Sequence, residues 1–127
     1  MPKPKNPNSK RILCVCRGGA SRSVGIRNVL AWGHGHDAIA AGFEGNTPET
    51  LKMLCDWAEI IVVARNNFIG TIDIDNRFKV RVCELGEDVY FNPNSDLYEK
   101  CGNWVNSQED LKLWDTFWEP DNYDGKK

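Results

Sequence analysis

Ile12-Leu13-Cys14-Val15-Cys16-Arg17-Gly18-Gly19-Ala20-Ser21-Arg22-Ser23 is the stretch whose reading decides the fold. It begins as an apolar strand that ends on a cysteine and continues as a loop with two adjacent glycines. Arg22 falls six positions after Cys16, with Ser23 directly behind it. A loop that closes onto a helix N-terminus turns several backbone N–H groups toward one point, where the helix dipole favours negative charge. A thiolate at that point is stabilised by the same donors. The planar fork of Arg22 can grip two oxygens of a tetrahedral anion at once. The motif demands a strand before it and a helix after it, and Val24 to Trp32 continues as a helix. The bland alternative is a buried cysteine that ends a core strand, with Arg22 as a surface residue at a helix start.

Working outward, Arg11–Val15 reads as a short apolar strand and Arg22–Gly33 as a helix, with Val24, Val29, Leu30 and Trp32 as candidate buried positions. Gly33-His34-Gly35-His36 ends the helix as a plain turn. Asp37–Ala41 is a second, small-residue strand closed by Gly42. Thr47-Pro48-Glu49-Thr50 starts a helix with a cap residue, a proline in the first turn and an acid. That helix carries Leu51, Leu54, Cys55 and Ala58. Glu59–Ala64 contains an unbroken Ile-Ile-Val-Val run, the pattern of a strand covered on both faces. A short helix or turn is expected over Asn66–Ile74, a fourth strand over Phe78–Cys83, and a loop from Gly86 to Ser95. Helices are expected over Asp96–Trp104 and Gln108–Trp118. Alternating strands and helices predict a parallel sheet with helices on both sides. Ligands in such folds sit beyond the carboxyl ends of the strands, and Cys16 lies just past that end of the first strand.

With 127 residues, the chain suits one domain with a hydrophobic core of its own. Residues 1–10 read as a flexible Pro/Lys/Asn tail, 11–118 as the domain, and 119–127 as a polar tail. Sixteen Lys and Arg against 18 Asp and Glu leave a net charge of −2, which supplies no footprint for nucleic acid. No apolar run approaches membrane-spanning length, and the opening residues lack the apolar stretch of a signal peptide. Five cysteines, several inside apolar periodic segments, do not read as a secreted disulfide framework, so a reducing cytoplasm is expected.

On these residues the chain resembles the low-molecular-weight protein tyrosine phosphatases, in the manner of the short bacterial and phage-type members. That family opens with an apolar strand and Cys-x-Gly-Asn-x-Cys-Arg-Ser, matched here by Cys16 to Ser23. Downstream, Glu87-Asp88-Val89-Tyr90-Phe91 resembles the family's Asp-Pro-Tyr loop. Ala40-Ala41-Gly42 resembles its Ser-Ala-Gly, and Asp56-Trp57-Ala58-Glu59-Ile60-Ile61-Val62-Val63 its entry to the third strand. The likeness runs in order from Arg11 to Trp104. It implies a three-layer α/β/α, flavodoxin-like fold with a four-stranded parallel sheet in the order 2-1-3-4.

The resemblance also implies roles. Cys16 is the nucleophile that forms a cysteinyl-phosphate. Arg22 and the backbone N–H groups of Arg17, Gly18, Gly19, Ala20, Ser21 and Arg22 hold the phosphoryl oxygens. Ser23 donates its hydroxyl to the thiolate. Asp88 protonates the departing oxygen and then acts as base on water, with Glu87 or Asp96 as substitutes if it is displaced. Tyr90 and Phe91 either wall the pocket against an aromatic leaving group or simply pack the loop. Arg17 either favours acidic substrates at the rim or is a solvated charge. No metal or organic cofactor is implied. The implied partners are a phosphorylated protein or aryl phosphate and inorganic phosphate or another oxyanion, with no nucleic acid or membrane. The chain departs from the family at Gly19 (asparagine there), Ser21 (the second loop cysteine), Val24 and Val89 (both prolines), and in the short segment after the second strand.

Other signals weigh less. Cys14-x-Cys16 and His34-x-His36 invite a metal reading, but the intervening helix would put the pairs at opposite ends of the sheet. Cys55 and Cys83 read as core and Cys101 as core or helix surface. Cys14 reads as a packed strand residue rather than a disulfide partner for Cys16. Trp57, Trp104, Trp114 and Trp118 are expected in packing. Hydrolysis of phosphotyrosine or a small aryl phosphate is the leading functional expectation. Arsenate reduction on the same loop, or phosphate binding without turnover, are the alternatives, and a phosphocysteine carrier is a more distant one.

Overall fold

The computed structural model describes residues 8–86 and 95–113. Its centre is β1 (Arg11–Cys16), in which Ile12 to Val15 have no solvent exposure. β1 pairs in parallel with β2 (Asp37–Gly42), from Arg11 opposite Asp37 to Cys16 opposite Gly42. On its other side it pairs in parallel with β3 (Ile60–Val63), which pairs with β4 (Val80–Val82). The resulting order is β2-β1-β3-β4, as expected. β1 and β3 lie inside the sheet and are covered on both faces, which is why they are unbroken apolar runs. β2 lies at an edge and exposes Asp37 and Ile39 while burying Ala38 and Ala41.

Helices flank the sheet to make a three-layer α/β/α unit. The helix expected over Arg22–Gly33 forms as α1 (Arg22–Asn28) followed by one π-helical turn, Val29–Gly33. Ile26, Val29 and Leu30 are its buried apolar side chains, whereas Val24 and Trp32 are only half-buried. Gly25 lets α3 (Ser95–Asn106) approach closely, because a Cβ there would meet Leu97 Cδ2 at 2.8 Å. Asn28 Nδ2 donates to Tyr98 Oη at 2.9 Å across the same contact. α2 (Pro48–Trp57) starts where its signals predict: Thr50 N–H donates to the Thr47 side chain at 3.1 Å, with Pro48 in the first turn. Leu51 and Cys55 are its buried face. No helix among the described residues is long and apolar enough to cross a membrane.

Three expectations need correction. The fourth strand is three residues long instead of running from Phe78 to Cys83. Phe78 and Lys79 belong to a 3-10 helix, Ile74–Lys79, that follows another at Asn66–Thr71. Asn76 Nδ2 bonds to the Asp73 and Asp56 carboxylates and Arg77 Nε to the Ile72 carbonyl, which holds the turn through Arg77. Phe78 is left 83% exposed. The first part of the expected helix Gln108–Trp118 is instead a set of turns over 108–113, closed by Leu111 N–H on the Gln108 carbonyl. Arg81 anchors it through Asp110 at 2.7 Å. The rest of that helix lies outside the described residues.

The third concerns Gly33–His36, which is a buried tie rather than a plain turn. Both histidines are buried. His36 Nδ1 accepts the Lys10 N–H at 3.0 Å, and its Nε2 lies 2.8 Å from the Leu111 carbonyl. With Nδ1 accepting, Nε2 carries the proton and donates. The ring is therefore neutral, and burial holds its pKa below the ordinary histidine value.

Candidate active site

At the carboxyl end of β1 the chain leaves the sheet at Cys16 and re-enters regular structure at Arg22. The intervening turn is built on backbone proximity. Gly19 has φ +73°, a left-handed conformation open to glycine, and a Cβ there would meet Gly42 N at 2.5 Å and Ala41 C at 2.8 Å. A Cβ on Gly42 would in turn meet Gly18 O and Gly19 N at 2.6 Å. The loop and the end of β2 therefore interlock through glycines on both sides. Asparagine suits the left-handed backbone at position 19, but its Cβ has no room here. Beyond the strands the two segments remain bonded, Phe43 N–H to the Cys16 carbonyl at 3.1 Å and Glu44 N–H to the Arg17 carbonyl at 3.0 Å.

This folding brings two groups onto one sulfur. Cys16 Sγ accepts the Gly19 N–H at 3.2 Å and lies 3.2 Å from Ser23 Oγ. A protonated thiol donates to that oxygen; toward a thiolate the hydroxyl becomes the donor. Ser23 sits in the first turn of α1, whose dipole favours negative charge at the same point. Arg22, 1% exposed, extends across the carboxyl ends of the strands. Its Nη1 donates to the Gly86 carbonyl at 2.7 Å, and its guanidinium lies over the Phe68 ring, 5.3 Å from the centroid. Burying a guanidinium demands such partners, and a desolvated cation–π contact contributes about 2 kcal/mol.

Two aromatic side chains at this end carry no motif. Phe43 and Phe68 meet edge to face, centroids 5.0 Å apart and planes at 65°. Arg17 lies 5.9 Å from the Phe43 centroid and pairs with Glu44 at 2.9 Å, both side chains half exposed. Arg17, Phe43, Phe68 and Arg22 thus form a continuous cation–aromatic–aromatic–cation row beside the loop. Arg17 is therefore compensated by Glu44 rather than being a bare rim charge. Phe43 follows directly on Gly42 at a strand's carboxyl end, a signal the fold rule for ligand sites offers; Phe68 lies in a 3-10 turn with no such signal.

Cys16 to Ser23 are thus brought together, while Asp88, Tyr90 and Phe91 lie outside the described residues. The remaining thiols are core residues. Cys14, Cys55, Cys83 and Cys101 are buried and, like Cys16, unbridged. Burial foremost, with Cys83 and Cys16 nearby, pushes the Cys14 thiol well above its ordinary value. A hydrogen bond to Cys83, then burial, does the same to Cys101, and burial pushes Cys55 up to about 11. Such thiols stay protonated and inert toward electrophiles. Cys101 is core, not helix surface. Among the described residues no three His, Cys, Asp or Glu side chains stand together to hold a metal ion.

No family model and no curated protein sequence matches the chain. Solved structures do. The tyrosine phosphatase AmsI of Erwinia amylovora superposes with a TM-score of 0.60 at 17% identity, over 78% of this chain and 93% of that one. Wzb of Vibrio vulnificus, solved in complex with benzylphosphonate, superposes with a TM-score of 0.57 at 15% identity, over 78% and 99% respectively. With its strand order β2-β1-β3-β4 and a cysteine loop at the head of α1, the chain has the flavodoxin-like fold of the low-molecular-weight phosphatases.

Proposed function

We propose that this protein is a cysteine-dependent phosphatase that hydrolyses phosphotyrosine or a small aryl phosphate. The observation that carries the reading is the convergence on Cys16 Sγ of the Gly19 N–H and the Ser23 hydroxyl, with Arg22 buried alongside. The phosphatases that share the fold support it, and the phosphonate bound to one of them is an oxyanion of the expected type.

The Cys16 thiolate attacks phosphorus in line with the ester oxygen. The S–P bond forms as the P–O bond breaks, and Asp88 gives its proton to the departing oxygen. The backbone donors of Arg17 to Arg22 and the Arg22 guanidinium hold the equatorial oxygens as charge redistributes. Water then attacks phosphorus, Asp88 takes its proton back, and the S–P bond breaks to return the thiolate and release phosphate. Ser23, donating to sulfur, makes it a better leaving group in this second step. Phe43, half-buried beside the loop and backed by the buried Phe68, favours an aromatic ester at the rim.

Hydrolysis of p-nitrophenyl phosphate across pH, in wild type, Cys16→Ser and Asp88→Asn, tests the reading. Turnover that requires both residues and is blocked by vanadate supports it. A folded, reduced protein that binds vanadate without turnover rejects the phosphatase and favours binding or arsenate chemistry on the same loop.

A further inference from the structure

Arg22 is held by Gly86, and Gly86 is held by a side chain outside every motif of the loop. Glu84 follows the end of β4 with its carboxylate about half exposed. One of its oxygens, Oε1, accepts the Asn66 N–H at 2.8 Å, and Oε2 accepts the Gly86 N–H at 3.1 Å. Arg65 Nε lies 3.5 Å from Oε2. The backbone around it is stitched to β3, with Cys83 N–H on the Val63 carbonyl at 2.9 Å and Leu85 N–H on the Ala64 carbonyl at 2.8 Å. Gly86 is the first residue past that stitching. Its φ is +75°, yet a Cβ there would meet nothing within 4 Å. Steric crowding therefore does not set its conformation, and glycine has the widest backbone freedom of any residue. Among the described residues, the Glu84 carboxylate accepts its N–H and Arg22 donates to its carbonyl.

We propose that Glu84 is a positioning residue for Arg22: it anchors the Leu85–Gly86 peptide through the Gly86 N–H, and so holds in place the residue whose carbonyl receives the guanidinium beside the loop. The inference rests on the phosphate-site reading of Cys16 to Ser23. A carboxylate accepting two backbone N–H groups makes charge-assisted bonds with defined direction. A half-exposed ion pair with Arg65 alone would be worth little. Through one carboxylate, the turn after β3 and the end of β4 are locked together, and Arg22 is referenced to both. Loss of the carboxylate releases the Leu85–Gly86 peptide, Gly86 loses its fixed position, and the guanidinium follows the displaced carbonyl.

The test measures vanadate affinity, kcat and KM on p-nitrophenyl phosphate, and thermal stability, for wild type, Glu84→Ala, Glu84→Gln, Arg22→Ala and the Glu84→Ala/Arg22→Ala double variant. Misplacement of a gripping group by about an ångström can cost about a hundredfold. Glu84→Ala is expected to weaken vanadate binding and lower kcat/KM by about tenfold, through both KM and kcat, because the guanidinium grips the bound phosphate and grips the transition state more strongly. Glu84→Gln, which keeps one acceptor oxygen, is expected to recover part of the loss. In the Arg22→Ala background, removing Glu84 should cost nothing further, a coupling that a merely structural role does not produce. Glu84→Ala with vanadate affinity and kcat/KM within about twofold of wild type, or an undiminished loss without Arg22, overturns the positioning role and leaves the phosphatase reading intact. A folded wild type that binds no vanadate removes the phosphate-site reading, and the proposal falls with it.

Discussion

The two ends of the sheet both bury polar side chains, and they use them differently. At the amino ends, the buried His36 closes on fixed protein partners. His36 bridges the Lys10 N–H and the Leu111 carbonyl. At the surface beside it, the exposed Arg11 donates its N–H to Glu59 at 2.8 Å and its Nε to the Trp57 carbonyl at 2.8 Å. These bonds tie chain segments together. At the carboxyl ends, polar groups converge instead: Gly19 N–H and Ser23 Oγ meet on one sulfur beside a buried guanidinium. Convergence on one atom stabilises negative charge there, on the Cys16 sulfur, whereas pairwise closure stabilises only the fold. The contrast separates site from scaffold within one sheet.

The largest expected effect breaks the convergent end alone. Cys16→Ser should abolish turnover, a loss of at least about ten-thousandfold by analogy with other nucleophile deletions, while thermal stability and vanadate binding persist. Loss of vanadate binding together with folding would mean that Cys16 belongs to the scaffold. Next, Gly42→Ala should damage the site from outside its motif, because the new methyl meets Gly18 and Gly19. A stability cost of about 1–3 kcal/mol by denaturant titration is expected, with turnover falling further than stability alone explains. Unchanged kinetics would show that the loop does not depend on the glycine interlock.

The amino end is broken with His36→Phe. The buried Leu111 carbonyl loses its partner, at about 1–3 kcal/mol, and the part-buried Lys10 N–H loses its own at a smaller cost; turnover of the folded protein at pH 7 should stay within about twofold of wild type. The same variant reveals the sign of the pH dependence. Burial lowers the folded-state pKa of His36, with Lys10 adding to the effect and the Leu111 carbonyl, Asp110 and Asp37 opposing it. Between that value and about 6.5 the unfolded chain binds a proton that the folded one does not. The stability from neutral His36 is therefore fully present above about pH 6.5 and is lost as pH falls toward the folded value, by at most about 1.4 kcal/mol per pH unit. The gap between wild type and His36→Phe should narrow across that window; a gap independent of pH would refute the neutral tie. The smallest effect is expected from Asp110→Asn. This opens a partly exposed pair with Arg81, for about 0.2–1 kcal/mol by thermal melts.

The same division explains what could be read before the structure. The first three strands, the glycine loop and the placement of Cys16, Arg22 and Ser23 were legible, because each depends on local periodicity or on residues within one turn of each other, whereas the strand order rested on the family resemblance. α2 was legible for the same reason: Thr47, Pro48 and Glu49 form its start signal within three positions. The fourth strand was overrun because Phe78, Val80 and Val82 alternate as a strand should. The competing signal, Asn76 bonded to Asp73 and Asp56, becomes visible only when α2 is packed beside it. The helix expected from Gln108 gave way to turns for a similar reason: Asp110 and Leu111 are committed to Arg81 and His36.

The sequence alone thus determined the strands, the loop and the cysteine at its head, since hydrophobic period and backbone turn chemistry are local properties. The tertiary structure alone decided what supports them. Gly42 beneath Gly19, Phe43 against Phe68, Gly86 under Arg22 and Leu111 on His36 join residues from 23 to 75 positions apart. No local pattern encodes such partners, because they are chosen by which strands lie side by side and how closely their ends approach.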